Sequence, residues 1–345
     1  MQYSQHEMVQ VFREQLELCA LKQGETFAVL SEGSIRRDYA EAFLLAARDL
    51  GVEGYQVNVP PRPFRDNRPL TGRTAIAGNR AAIEALKKAD LLVDVMGMLF
   101  SHEQDEICAT GTRILFVREP FDILARNFPT TELRRRVEHG ESLLGQARKL
   151  RIFSEAGADC TFEMGGYRAM TQYGYTDKPG RWDHMGAGQV LSQAWDGKVD
   201  GTVVIQPGDI LNCFRRNVEN PITLTIRDGA VQDIAGPGMD AALLRDFMAS
   251  FEDERAYAIS HIGWGLPPSA HWYDNQLSRT RDGEIGVNNL SFFGNVLFSL
   301  GPNTELGGTN DTACHVDIPL RDASLELDGR IIVDRGRMAV DAMAA

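Results

Sequence analysis

The chain has 345 residues, more than one ordinary domain, so two domains are expected. Its 43% hydrophobic and 24% charged content is that of a globular protein rather than a disordered one. A net charge of −12 argues against nucleic-acid or anionic-membrane partners, and no apolar run is long enough to span a bilayer.

The N-terminal stretch Glu7 to Lys22 has a helical period, with Val9, Phe12, Leu16 and Cys19 on one stripe. Its acidic residues do not suit a signal peptide, and five scattered cysteines without a CxxC suggest neither a disulfide framework nor a zinc knot, so a cytoplasmic location is expected. TFAVLSE (26–32) reads as a buried strand, and a helix near Arg37 to Leu50 is ended by Gly51. Next come a strand over Tyr55–Val59, a Pro/Arg-rich loop (60–72), a helix over Ala75–Lys88 and a strand over Asp90–Met96. A strand at Arg113–Val117 and helices near Phe121–Ala125 and Thr131–Leu150 follow; the basic run Arg134 to Arg136, flanked by Glu132 and Glu138, reads as a solvated helix face. Alternating strands and helices over residues 1–150 predict an α/β N-terminal domain with an open, mainly parallel sheet. The turn after the first strand carries only Gly33, with neither GxGxxG nor a phosphate loop, so the sheet reads as a scaffold and not a nucleotide site.

Beyond Leu150 the texture changes, and residues 151–345 predict an α+β domain. Short strands are broken by glycine turns, ITLTIRDGAVQDIAG (222–236) reads as a hairpin turning at Asp228-Gly229, and a helix spans Asp240 to Phe251. The chemistry concentrates in GGTNDTACHVDIPL (307–320). Val316, Ile318 and Leu320 predict a short strand, which projects His315 and Asp317 to one face and Val316 and Ile318 to the other. A His and a carboxylate so placed serve as two metal ligands, as a base with its orienting acid, or as a polar strand end. Of seven histidines, His6 and His139 fall on amphipathic helices. His261 is expected at a strand end where the chain turns at Gly263, with His271 its competitor as a second imidazole; His102 follows a buried strand, and His184 lies in RWDHMGAGQV. Two imidazoles and one carboxylate, His261, His315 and Asp317, would be the donor set of a mononuclear non-haem iron centre, which keeps positions open for an organic substrate and O2. Zinc takes similar donors.

SHIGWG (260–265), GNVLFSLG (294–301) and GGTN through HVD (307–317) resemble the C-terminal half of thermophilic-type metallo-aminopeptidases, and GAGQV (186–190) resembles their PAGEV-like segment. That family holds two metals with donors that here become Gln189, His261, Leu297 and Phe292. A dinuclear site is therefore dismantled, leaving His261, His315 and Asp317. SEGSIRRDYA (31–40), HMGAGQV (184–190), SHIGWGL and TACHVDIPL further resemble the 2,5-dihydroxypyridine 5,6-dioxygenase family over nearly the whole chain. This resemblance implies an Fe(II) enzyme that opens the C5–C6 bond of 2,5-dihydroxypyridine with O2 to give N-formylmaleamate. It implies His261, His315 and Asp317 as iron ligands and places His102 and His184 in the active site. His102 is the favoured base, because loops after strands of open sheets face the ligand crevice, and a base of pKa near 7 suits a phenol-like proton. His184 would hold the ring's 2-oxygen or nitrogen, with Leu99, Phe100 and Trp182 as an apolar wall, and a homo-oligomer is expected. A Zn or Co aminopeptidase-like hydrolase and a metal-free small-molecule binding protein are the alternatives.

Overall fold

The computed structural model describes residues 3–62, 70–274 and 289–345, so part of the Pro/Arg-rich loop and of the segment before Phe292 lies outside the described residues. It divides into two compact units, Met1–Pro129 with Tyr173–Ala187, and Thr130–Gln172 with Gly188–Ala345. The sequence suggested one passage near residue 150; the chain instead returns to the first unit at Tyr173 and leaves it again after Ala187. The reason is topological. Strand Trp182–His184, too short to show a period, is the last strand of the first unit's sheet.

That sheet is parallel, in the spatial order Gly54–Val59, Phe27–Glu32, Leu91–Asp94, Arg113–Phe116, Trp182–His184. Leu91–Asp94 and Arg113–Phe116 are buried along their whole length, as expected of strands covered on both faces. Helix Gln5–Leu18 starts at a capping box formed by Ser4 and Glu7 and buries Phe12, whose ring stacks 3.9 Å from Phe43. Helix Arg37–Asp49 stops before Gly51, which takes the left-handed conformation (φ 74°) expected after a helix end. The predicted helix from Ala75 is shorter, Arg80–Leu86, because Gly78 turns the chain and the Asn79 side chain caps Ala82 N–H.

In the second unit, helix Thr131–Gln146 ends earlier than predicted because Lys149–Phe153 is a strand. This strand lies in an eight-stranded antiparallel sheet with the hairpin Ile222–Arg227/Ala230–Ala235, whose turn places Asp228 and Gly229 at positive φ. A second antiparallel sheet has the order Val316–Leu320, Val296–Leu300, Ile259–Gly265, Gln189–Ser192, Met170–Gln172. One of its faces carries Phe298, Ile318, Leu300 and Val316, all fully buried, and Phe298 meets Phe162 of the larger sheet edge-on at 6.4 Å. The opposite face holds the polar residues that matter below. The two units together carry the α/β and α+β content predicted, and among the described residues no helix is long and apolar enough to cross a membrane.

Candidate metal centre

Three adjoining strands of the second unit build the centre. Register pairs Ser299 with Asp317, so both side chains lie opposite the Phe298/Ile318 face. His315 immediately precedes strand Val316–Leu320. His261 does not end a strand at a glycine turn, as the sequence suggested: Ile259–Gly265 runs straight through Gly263 and Gly265. These glycines serve close approach instead. A Cβ on Gly263 would lie 1.9 Å from Val190 O, and one on Gly265 2.1 Å from Ser291 O. A β-bulge between Ile259 and Ile262 puts both Ser260 and His261 opposite Ser299 on the neighbouring strand. Such an extra residue re-aims side chains locally, and here it delivers His261 to the Asp317 side.

His261, His315 and Asp317 each offer one donor atom, all within 4.8 Å of one another. His261 Nε2 and His315 Nε2 both stand 3.1 Å from Asp317 Oδ1. The rings are 5.2 Å apart, and the three side chains are 8%, 10% and 11% exposed, nearly enclosed but reachable. Ser299 Oγ donates to the same Asp317 oxygen at 2.6 Å. Burial pushes the His261 imidazole below its ordinary value, outweighing the pull of Asp317, and so favours the neutral form that ligates metals. Burial also acts to raise Asp317, but the charge and hydrogen bonds of His315 and His261 overcome it and hold the carboxyl well below the usual range.

The donor set fits a single divalent ion. Adjacent ligands of an octahedral ion bonded at about 2.1 Å lie roughly 3.0 Å apart, and those of a tetrahedral one roughly 3.4 Å; the two His–Asp separations of 3.1 Å fall within that span, and the imidazole nitrogens, within 4.8 Å of each other, would draw in on an ion. Two imidazoles with one carboxylate suit iron, with positions left open.

The positions where the resemblance to aminopeptidases expects further donors offer none. Gln189 gives its amide to Gln172 at 2.7 Å, Leu297 is 1% exposed, and Phe292 packs with Ile210 and Ala270. His271 is not part of the cluster: its backbone N–H and ring face Asp274, and the ring stacks on Tyr273. A cavity of about 420 Å³ lined by Trp195, Arg255, Ser260 and Asn303 includes none of the three donors, so the chemistry is read from the triad and not from that cavity.

The other predicted site residues belong to the first unit; all but Trp182, which opens its strand beside Ile114, follow or end strands at the carboxyl edge of the parallel sheet, where ligands of open sheets bind. Asp94 ends its strand by accepting the N–H groups of Met96, Gly97 and Met98 at 2.7–2.9 Å, which shapes the turn leading to Leu99 and Phe100. Both are half-buried, and Phe100 has φ 62°. Ser101 then caps helix His102–Cys108, leaving His102 exposed at its first position. Trp182 packs, half-buried, against the core cluster containing Ile107 and Ile114. His184 is 5% exposed and pairs through Nε2 with Oε2 of the fully buried Glu119 at 2.9 Å. Sequence reading missed Glu119, Ser260 and Ser299. The available signals were an acidic residue just past an apolar strand (RILFVRE) and a single hydroxyl inside VLFSL.

An α/β unit joined to an antiparallel unit bearing a His-His-Asp cluster defines a chain of the AmpT aminopeptidase fold. Wild-type AmpT from Thermus thermophilus superposes with a TM-score of 0.63 over 97% of this chain and 99% of that one, at 14% identity, a likeness of fold alone. The model of the family described as 2,5-dihydroxypyridine 5,6-dioxygenase matches residues 7–340, and the chain belongs to that family of dioxygenases. A 2,5-dihydroxypyridine 5,6-dioxygenase of Pseudomonas putida is 42% identical over 341 residues, covering 97% of each chain. The solved structure of the 2,5-dihydroxypyridine dioxygenase from Pseudomonas putida matches with a TM-score of 0.95 at 40% identity, covering 99% of this chain and 100% of that one.

Proposed function

We propose that this chain is a mononuclear non-haem Fe(II) dioxygenase of extradiol type. It takes 2,5-dihydroxypyridine and O2, opens the C5–C6 bond and releases N-formylmaleamate, with both oxygen atoms retained in the product. The observation that carries the reading is the convergence of His261, His315 and Asp317 in a chain 42% identical to a relative of that name. Bound iron would supply a Lewis-acidic, redox-active point at which substrate and O2 meet.

The residues divide the remaining work. Asp317 supplies one negative charge, and with two neutral imidazoles the centre keeps a net positive charge on loading, which favours an anionic hydroxypyridine. His102 takes the 5-hydroxyl proton through its ring nitrogen, raising the electron density of the ring. His184, its Nε2 held by Glu119, has Nδ1 to offer to the ring's 2-oxygen or nitrogen. Leu99, Phe100 and Trp182 exclude water from the ring face. The enzyme works in the cytoplasm as a homo-oligomer. The aminopeptidase-like alternative lacks the anionic donors that a second dication needs, since Gln189, Leu297 and Phe292 stand in their places.

The test is oxygen uptake with 2,5-dihydroxypyridine, with and without added Fe(II), while the ultraviolet band of the substrate is followed. Stoichiometric uptake that requires Fe(II) is expected. Absence of uptake, together with amidase activity stimulated by Zn(II) or Co(II), sinks the proposal.

A further inference from the structure

An imidazole ligates through Nε2 only when Nε2 carries no proton, and the partner of Nδ1 then receives the proton of the neutral ring in a hydrogen bond. For His261 that partner is Ser260. Ser260 is 1% exposed and shares the bulge with His261. Its hydroxyl donates to the carbonyl of Pro302, an atom that only accepts. Without a metal, Nε2 donates to Asp317 Oδ1 at 3.1 Å; once Nε2 ligates, the proton of the neutral ring is on Nδ1, and the serine oxygen 3.4 Å away, its own proton committed to Pro302, is the acceptor that faces it. That contact is long and weak as a bond, yet it serves the tautomer that ligation through Nε2 requires.

We propose that Ser260 is a positioning residue that accepts from His261 Nδ1–H when Nε2 exchanges its hydrogen bond to Asp317 for a metal ion, and so stabilises the ligating tautomer. The inference rests on reading the His261–His315–Asp317 cluster as a metal site. Its anchor is well held. Gly301 N–H donates to Ala258 O at 2.9 Å, Asn310 Nδ2 to Gly301 O at 2.7 Å, and Asn303 N–H to Asn310 O at 3.0 Å, so the loop presenting the Pro302 carbonyl is tied on both sides. Gly301 (φ 112°) lies so close to the segment before strand Val316–Leu320 that a Cβ there would sit 2.1 Å from Cys314 O. The proline carbonyl, the serine hydroxyl and the imidazole thus form one directed chain of hydrogen bonds ending at the ligating atom. Groups that orient a metal-bound histidine in this way are typically worth about 10–100-fold in metal affinity.

Two measurements test this on the full-length protein. The first is the affinity of Fe(II) and of Co(II) for wild type, Ser260→Ala and Ser260→Thr, by competition with a chelator. A loss of about 10–100-fold is expected for Ser260→Ala, with substantial recovery in Ser260→Thr, which restores the hydroxyl. Unaltered affinity in a folded Ser260→Ala protein overturns the role of Ser260. The second needs no variant at the serine: 15N-histidine NMR of wild type, metal-free and loaded with diamagnetic Zn(II), with the His261 signal assigned in the metal-free form by its loss in His261→Gln. Ligation through Nε2 with a proton on Nδ1 in the Zn(II) form supports the proposal, and ligation through Nδ1 overturns it. Failure of wild type to bind either ion overturns the metal-site reading itself, which the comparison of variants does not.

Discussion

Ser299 and Asp317 face each other across two paired strands, and the serine hydroxyl donates a 2.6 Å hydrogen bond to the carboxylate oxygen on which both imidazoles converge. A hydrogen bond to a charged acceptor contributes about 1.5–3 kcal/mol, and here it also fixes the direction in which Oδ1 points. Ser299→Ala is therefore expected to weaken Fe(II) binding about tenfold while far-ultraviolet circular dichroism stays that of wild type. Unchanged affinity would show that the strand pairing alone orients the carboxylate.

Asp317→Asn keeps the size of the side chain and removes the only anionic donor of the triad. Without it, two neutral imidazoles face a dication alone. The expected result is less than roughly a tenth of an equivalent of iron after reconstitution, measured by elemental analysis, and no oxygen uptake. Stoichiometric iron in the Asn protein would remove Asp317 from the ligand set.

His102 stands exposed at the start of a short helix of the first unit, and the donor cluster belongs to the second. His102→Ala should keep iron stoichiometry and melting temperature near the wild-type values and lower kcat by about 10²–10⁴, the usual range for loss of a general base. Equal losses of iron and turnover would assign it a different role.

Asp209 gives a pH prediction. Its carboxylate accepts N–H groups from Gln206 and from Arg321, just past strand Val316–Leu320, each at 2.7 Å, and it is 2% exposed. Burial, opposed by these two donors, pushes its carboxyl up to about 7. The folded state therefore holds this proton more tightly than the unfolded chain does. The stability it contributes is complete below about pH 4 and is lost as the pH rises through about 7, a change of up to roughly 4 kcal/mol. Urea unfolding between pH 4 and pH 8 should show this decline in wild type and a shallower one in Asp209→Asn. Parallel curves would place the dependence elsewhere.

Much of the architecture was legible because periodicity survives in single sequences. The apolar runs of the parallel sheet, the Asp228-Gly229 hairpin and the outward pairing of His315 with Asp317 all follow from alternation and turn chemistry. The return of Trp182–His184 to the first sheet was not legible, since three residues carry no period. His261 was found by resemblance, and its setting was misjudged because Gly263 and Gly265 look like turn residues when they are in fact extended. The bulge that aims His261 has no compositional mark at all: it is one residue of register, visible only once the partner strand is known. Glu119 and Ser260 escaped for a related reason, because their importance lies in which atom they face.

Gly301 joins two parts of the centre that the sequence keeps far apart. The loop it begins presents the Pro302 carbonyl to Ser260, and its bare Cα rests on the backbone of Cys314 and His315. A methyl group at this one position would push on the entry to the His315 strand and on the anchor of His261 together. The two imidazoles thus share a single mechanical tolerance, and an error there would displace both rings at once rather than one at a time.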